Sequence, residues 1–178
     1  MEPLAPSRTS GATFLGSGHP MNREALAHFL KEILPVVRAR VPEFRLHLIG
    51  TICAAVPDHP ALVKRGVLED LREGFRPAPI NLNPTLSGTG ISIKLLDGMA
   101  SGVPAVTTRT GARGLEAAYR NGMITVEDGD PGAFAQALVA LLESGPERQA
   151  LGRLAHADAR RWREAQLAAL GELLGQRG

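Results

Sequence analysis

Two opposite charges stand inside an apolar segment at residues 87–102, SGTGISIKLLDGMASG. The segment begins with a glycine-rich turn, and the residues around Lys94 and Asp97 are typical of a helix. A helix that follows such a turn presents free backbone N–H groups and the positive end of its dipole, which together favour an anion. A lysine in the first turn opposes that dipole, so its position makes sense if it shares an anion with the amides. Gly88 and Gly90 allow close backbone approach, and a diphosphate fits this pattern.

Asp97 follows Lys94 by three residues, which places both side chains on one face of the predicted helix. A carboxylate can accept two hydrogen bonds from a vicinal diol, which is what a ribose presents. Because phosphate and ribose are neighbours in a nucleotide, the pair predicts a nucleotide site. A plain surface ion pair between Lys94 and Asp97 is an alternative of equal weight, since isolated pairs are common and weak.

Two further loops carry candidate binding residues. The loop after the first apolar run, LGSGHPMN, offers Gly16 and Ser17 to a phosphate, although it lacks the spacing of the dinucleotide fingerprint. Arg109 and Arg113 follow another apolar run and add positive charge near an anionic site, and an ordinary exposed loop explains them equally well. The sequence contains no metal-ligand spacing and no G-x-S-x-G nucleophile motif, so it predicts neither a metal site nor a hydrolase elbow.

Short apolar runs, several of them closed by glycine, alternate with amphipathic segments along the chain. The runs predict strands, and the segments between them predict helices. The predicted strands cover 12–16, 44–50, 60–66, 79–84, 104–111 and 122–128, and the predicted helices cover 22–42, 67–78, the 87–102 segment, 131–144 and 146–176. Pro35 is expected to kink or end the first helix. The alternation predicts an α/β fold, a Rossmann-like three-layer α/β/α domain with a parallel six-stranded sheet, whose ligands bind beyond the carboxyl ends of the strands.

Composition agrees with one globular domain. The chain has 178 residues, of which 44% are hydrophobic and 21% charged, and its net charge is +2. The basic residues are spread thinly, which argues against a nucleic-acid partner, and no apolar run is long enough for a transmembrane segment. A single cysteine excludes an internal disulfide and favours a reducing, cytoplasmic location. Residues 1–11 read as a linker without fixed structure, and 12–178 as the domain with its C-terminal helices.

The order of these segments resembles the C-terminal, donor-binding half of GT-B-type retaining glycosyltransferases in the glycosyl transferases group 1 family. The resemblance runs from Phe14 to about Leu142, and its most specific part is G-x-G-x-x-x-K-L-L-D-G-M-A-S-G-V-P-A-V at 88–106. It implies a Rossmann-like domain that binds a nucleotide-sugar donor such as a UDP- or GDP-sugar, with no metal or other cofactor. It also implies an N-terminal acceptor-binding domain, which this chain lacks, and sugar transfer with retention of configuration.

The resemblance assigns roles residue by residue. Lys94 matches the position near the donor phosphates, and Asp97 matches the second acid of a paired-glutamate motif, which holds the ribose. The other matching positions lie beside the sugar and phosphates, against the base, and in the first loop; they are Gly88, Thr89 and Gly90, then Arg65, Gly66 and Val67, then Gly16. Two departures stand out: Thr89 occupies the position of the first acid, and Asn22 lies where a basic residue often follows the first strand.

Several functions fit this resemblance. The preferred one is a hexosyltransferase-type glycosyltransferase in which this domain, inactive when isolated, binds the donor. The alternatives are a non-catalytic nucleotide-sugar-binding subunit of a split transferase, another GT-B enzyme such as a sugar-nucleotide epimerase, and a plain Rossmann-like binding domain. A location at the inner face of a membrane, by peripheral contact, is an alternative to a purely cytoplasmic one. The sequence specifies neither catalytic residues nor the base, sugar, acceptor or linkage.

Overall fold

The computed structural model describes residues 9–175. Most of the predicted 1–11 linker and the last three residues of the chain therefore lie outside the described residues. Within 9–175 the chain forms a six-stranded, all-parallel sheet in the order β3-β2-β1-β4-β5-β6. The strands are β1 (Gly11–Leu15), β2 (Arg45–Ile49), β3 (Leu62–Gly66), β4 (Asn81–Asn83), β5 (Ala105–Thr108) and β6 (Met123–Val126). The predicted fold class is confirmed.

The strand order reverses between β1 and β4, which are joined by the register pair Thr13 and Asn81. From β1 the chain builds the sheet outward through β2 and β3, and it then returns to place β4 on the other side of β1. The connections after β1 and β4 consequently diverge and leave a crevice at the carboxyl ends of these two strands. The glycine-rich loop after β1 and the 84–92 loop after β4 both open onto this crevice.

Seven α-helices connect or cover the strands in the described part of the chain. They are α1 (Pro20–His28), α2 (Leu34–Arg40), α3 (Ile52–Ala55), α4 (Leu71–Phe75), α5 (Ile93–Ala100), α6 (Pro131–Glu143) and α7 (Gly145–Gly175). α3 was not predicted, because four residues are too few to show a helical period. No helix in residues 9–175 combines the length and apolar character that crossing a membrane requires.

The first predicted helix does not end at Pro35. A π-helical turn, Phe29–Ile33, joins α1 to α2, and Leu34 donates its N–H to the Phe29 carbonyl five residues earlier. The proline ring clashes with the carbonyl four residues before it in a regular helix, and the wider turn relieves that crowding. Phe29 and Ile33 thereby stay fully buried in the larger core, which includes residues of α1, α2 and α6.

A smaller core cluster fixes the helix that carries the two charges. Leu95 and Met99 of α5 are buried against Ala105 of β5, Met123 of β6 and Ala155 of α7. Trp162 of α7 packs against the same cluster and so helps to hold the terminal helix on the domain. Because α5 is held from its apolar side by this cluster, the start of the helix is positioned at the crevice between β1 and β4.

Glycines bring the ends of β1, β2 and β3 together beside the crevice. Gly16 donates its N–H to Ile49 O at 2.9 Å, and Gly50 donates to Gly66 O at 2.7 Å. Gly50 has φ +103°, and a Cβ at this position would clash with the Gly16 carbonyl. Only glycine combines this backbone conformation with so close an approach.

We expect Gly50→Ala to destabilise the fold by about 3 kcal/mol or more. The alanine would have a strained backbone with positive φ, and its Cβ would also clash with the Gly16 carbonyl. Gly129→Ala is the matched control, since Gly129 also has a positive φ of 77° but has open space around its Cβ position. The control should lose only about 1 kcal/mol. Urea unfolding measures both changes, and equal losses would show that the contact with Gly16 is unimportant.

Candidate functional site

A cleft of about 530 Å³ lies at the carboxyl ends of β1 and β4, where the strand order reverses. Its walls come from the loops after β1, β2, β3 and β4, from the start of α5 and from the loop after β5. The cleft is lined by Leu15, Gly16, Ser17, Met21, Asn22, Gly50, Thr51, Val67, Leu71, Asn83, Thr85, Thr89, Ile91, Ser92, Ile93, Lys94, Asp97 and Arg113. The mixture of apolar walls and a few polar groups is typical of a small-molecule site.

Lys94 lies in the first turn of α5, as predicted, and its ammonium group reaches back across the crevice. Its Nζ donates to Asn22 Oδ1 at 2.8 Å and to Thr85 Oγ1 at 3.4 Å. The same atom lies 5.1 Å from the ring centroid of Phe14, close enough for a cation–π interaction. These partners come from β1, α1 and the loop after β4, so one side chain ties together the elements on both sides of the switch point.

All of these partners of Lys94 are neutral. In the part of the chain that the structure describes, no carboxylate lies within ion-pair distance of Lys94, so the alternative of a surface ion pair with Asp97 is not formed. Burial, together with the positive charge of Arg113, lowers the pKa of Lys94 to about 8. A cation held in a crevice without a counter-ion creates a strong attraction for an anionic ligand.

Asp97 lines the same cleft and is half-buried. Among residues 9–175 its carboxylate takes part in no ion pair and no side-chain hydrogen bond. Burial raises the pKa of Asp97, and no neighbouring donor offsets that effect. Such a carboxylate keeps its acceptor capacity for a group that enters the cleft.

Two buried asparagines of β4 position the start of α5. Asn81 donates from Nδ2 to the Lys94 carbonyl at 2.8 Å. Asn83 donates from Nδ2 to Ser92 Oγ at 3.3 Å and to Gly111 O at 3.0 Å, and its Oδ1 accepts from Thr85 Oγ1 at 2.6 Å. Both side chains are almost fully buried, so these bonds are well shielded from water.

Ser92 precedes α5 at the N-cap position but does not cap the helix. No side chain in the described residues caps α5, and the Ser92 hydroxyl accepts a hydrogen bond from Asn83 Nδ2. Leu95 donates its N–H to Ser92 O at 3.1 Å, while the N–H groups of Ile93 and Lys94 keep their binding capacity, which favours an anion at this helix start.

The ten predicted binding residues fall into two groups. Six line the cleft, namely Gly16, Ser17, Val67, Thr89, Lys94 and Asp97. Four do not line it, namely Arg65, Gly66, Gly88 and Gly90. Arg65 is exposed at the end of β3, while Gly66 accepts the backbone bond from Gly50 that shapes the rim. Gly88 and Gly90 both have positive φ, so they shape the loop that carries Thr89.

Several lining residues were missed by sequence reasoning. Asn83, Thr85 and Ser92 are buried polar residues, and Asn22 contacts Lys94 over a separation of 72 residues. Asn81 and Asn83 were the one sign of these residues in the sequence, since INLNP places two polar amides in a strand pattern that is otherwise apolar. Buried polar side chains need hydrogen-bond partners, and here those partners lie in the site. Among residues 9–175 no three His, Cys, Asp or Glu side chains are grouped as a metal site would require.

The sequence profile described as "Glycosyl transferases group 1" matches residues 10–144, more than half of the chain. The chain therefore belongs to the glycosyl transferases group 1 family. No curated protein matches it by sequence.

Solved structures with the same fold include sucrose-phosphate synthase from Thermosynechococcus elongatus, with a TM-score of 0.69 and 16% identity over 98% of this chain and 47% of the other. The C-terminal domain of LpcC, a glycosyl transferase group 1 protein from Francisella tularensis, has a TM-score of 0.62 and 17% identity over 88% of this chain and 87% of the other. HepE from Anabaena, in complex with UDP and glucose, has a TM-score of 0.64 and 11% identity over 86% of this chain and 44% of the other. This chain thus spans less than half of the synthase and of HepE.

Without ligand, Lys94 should make the stability of the fold rise with pH between about 8 and 10.5. Its pKa in the folded chain lies below the ordinary lysine value, so the unfolded chain binds more protons in that interval and a higher pH favours folding. Below about pH 8 the unfavourable burial of the charge is fully present, on the order of 3 kcal/mol. Lys94→Met should be more stable than the parent chain at neutral pH and should lose the rise.

Urea unfolding of both chains across this pH range measures the difference. Lys31→Met is the control, because the Lys31 side chain is 82% exposed, and it should keep the parent profile. Identical pH profiles for the parent chain and Lys94→Met would contradict the lowered pKa.

Proposed function

We propose that this chain is the nucleotide-sugar donor-binding domain of a glycosyltransferase. The observation that carries the proposal is the ammonium group of Lys94, which is held in the switch-point crevice by neutral partners alone and close to a helix start without a side-chain cap. Membership of the glycosyl transferases group 1 family supports it. The presence of UDP and glucose in the HepE structure, which has the same fold, supports a nucleotide-sugar ligand.

In this proposal the diphosphate of the donor binds between Lys94 and the N–H groups at the start of α5. The ribose lies one helical turn further on, where Asp97 accepts hydrogen bonds from its diol. The base packs on the side of Val67, which is 74% exposed at the rim although it lines the cleft. Gly16 lets Phe14 and Asn22, the partners of Lys94, approach the first loop closely, because a Cβ there would lie 2.9 Å from Phe14 and 3.2 Å from Asn22.

Lys94 also accounts for the absence of a basic residue in the first loop. Its Nζ lies 2.8 Å from Asn22 Oδ1, so the positive charge enters the same neighbourhood from α5. During transfer the bond between the sugar carbon and the diphosphate breaks, and negative charge accumulates on the leaving phosphate oxygen. A fixed cation at that place stabilises the leaving group, and it does so without a metal ion.

The transfer itself needs an acceptor, which we assign to a second domain. This chain spans less than half the length of several solved structures with the same fold, and we propose that the isolated domain binds the donor without transferring its sugar. Retention of configuration at the sugar carbon is part of the proposal by family membership. The cytoplasmic location predicted from the sequence stays a prediction.

We expect UDP or GDP to bind the 178-residue chain and Lys94→Met to weaken that binding by about 10- to 100-fold, the effect of losing a charge-assisted hydrogen bond. Lys31→Met is the matched control and should bind like the parent chain, since the Lys31 side chain is exposed. Isothermal titration calorimetry at low salt measures both affinities. Absence of binding by either nucleotide at millimolar concentration would overturn the proposed function.

Asp97→Asn is expected to lower affinity for UDP or GDP by about 10-fold, because a carboxylate accepts stronger hydrogen bonds from a diol than an amide does. The same variant should bind the 2′-deoxynucleotide almost as well as the parent chain does, since one hydroxyl partner is already missing. Asp58→Asn is the control, because the Asp58 side chain is 96% exposed. If the parent chain binds ribo- and deoxynucleotides equally, Asp97 does not contact the ribose.

A further inference from the structure

Arg113 is a second cation in the cleft, and the proposed function does not account for it. It lies in the loop after β5 and lines the cleft together with Lys94. None of the ion pairs found in residues 9–175 involves Arg113. Two cations that face one cleft and form no ion pair repel each other, which is reflected in the lowered pKa of Lys94. This arrangement is stable chiefly when anionic oxygens bind between or beside them.

The guanidinium of Arg113 is held in a defined position. Its Nη1 donates to Thr110 O at 2.7 Å, and its Nη2 donates to Thr89 O at 3.1 Å. Both contacts are to backbone carbonyls, so they orient the group without neutralising its charge. Three of its five N–H bonds are left over, and the buried Nε finds no hydrogen-bond partner among the described residues.

The loop after β4 is shaped around this guanidinium. Gly88 has φ +121°, and a Cβ at this position would clash with Nη2 of Arg113. Thr89, the residue that follows, offers Arg113 its carbonyl and contributes no acidic side chain. The end of the cleft beside Thr89 therefore carries a positive charge that is fixed in place and takes part in no ion pair among the described residues.

We propose that Arg113 binds a second anionic group of the donor, in addition to the phosphate oxygens that Lys94 binds, and that it thereby selects donors by charge. The proposal rests on the proposed function of the same cleft. The chemistry that fits is an oxyanion with two adjacent oxygens, because a guanidinium can donate two parallel N–H bonds to it. Two parts of a donor present such a group, the terminal phosphate of the diphosphate and a carboxylate on the sugar.

Four ligands that differ in turn by a phosphate, a neutral sugar and a carboxylate test this proposal: UMP, UDP, UDP-glucose and UDP-glucuronate. If the chain prefers guanine, the same series is GMP, GDP, GDP-mannose and GDP-mannuronate. Their affinities for the parent chain, Arg113→Met and Arg113→Lys are measured by calorimetry. Arg109→Met is the matched control, since Arg109 lies in the same loop, is exposed and pairs with Glu127 instead of lining the cleft.

We expect Arg113→Met to weaken the binding of at least one of the diphosphate, the neutral sugar nucleotide and the uronate by about 10-fold. The affinity for the monophosphate should change by less than about 2-fold. A loss for the diphosphate and both sugar nucleotides assigns the contact to the terminal phosphate. A loss confined to the uronate assigns it to the sugar carboxylate. Arg113→Lys should recover part of the affinity, because it restores the charge but not the paired geometry.

Equal weakening of all four ligands by Arg113→Met would overturn the proposal, because it would mean that Arg113 only supports the 88–90 loop. Unchanged affinities would overturn it as well. In either case binding that still depends on Lys94 leaves the proposed function intact. Failure of the parent chain to bind any nucleotide of either series would overturn both.

Discussion

The ammonium group of Lys94 is the charge around which the crevice is organised. It is removed from most of the surrounding water, and the protein gives it two neutral oxygens and the face of Phe14. A buried cation without a counter-ion is unfavourable, and dipoles compensate for only part of the lost hydration. The fold keeps this unfavourable group because the larger core and the smaller cluster hold β1, β4 and α5 in place independently of it.

Two side chains of strand β4 position the helix start that carries the Lys94 charge. A parallel strand at the centre of a sheet is usually apolar on both faces, yet β4 carries Asn81 and Asn83. Asn81 fixes the carbonyl of Lys94 itself, and Gly98 one turn later makes this possible, since a Cβ there would lie 2.5 Å from the Asn81 amide. Asn83 organises Ser92, Thr85 and the loop after β5. One short strand thus positions both loops that flank the start of α5.

The sequence predicted the fold and the two charges better than it predicted their surroundings. Glycine-closed strands alternating with helices define a parallel sheet, and a lysine in an apolar helix start is conspicuous without any structure. The predicted strands were too long at β4, because Pro79 and Pro84 limit its pairing to three residues. The contact between Asn22 and Lys94 joins residues 72 positions apart, and no local pattern reports such a contact. The same holds for Arg113 and Thr89, whose bond depends on how two loops meet.

The arrangement of Lys94 also explains why an anion should bind there more strongly than at an exposed lysine. In water, an ammonium group must lose its hydration before it contacts a phosphate, and that loss offsets most of the attraction. Here the folding of the chain has already removed most of that water, and Asn22 and Thr85 fix the direction of the side chain. The loss of hydration is therefore a part of the folding free energy and does not recur when the ligand binds. A group that destabilises the empty domain is in this way a source of affinity for an anion, which is why the same lysine carries both effects.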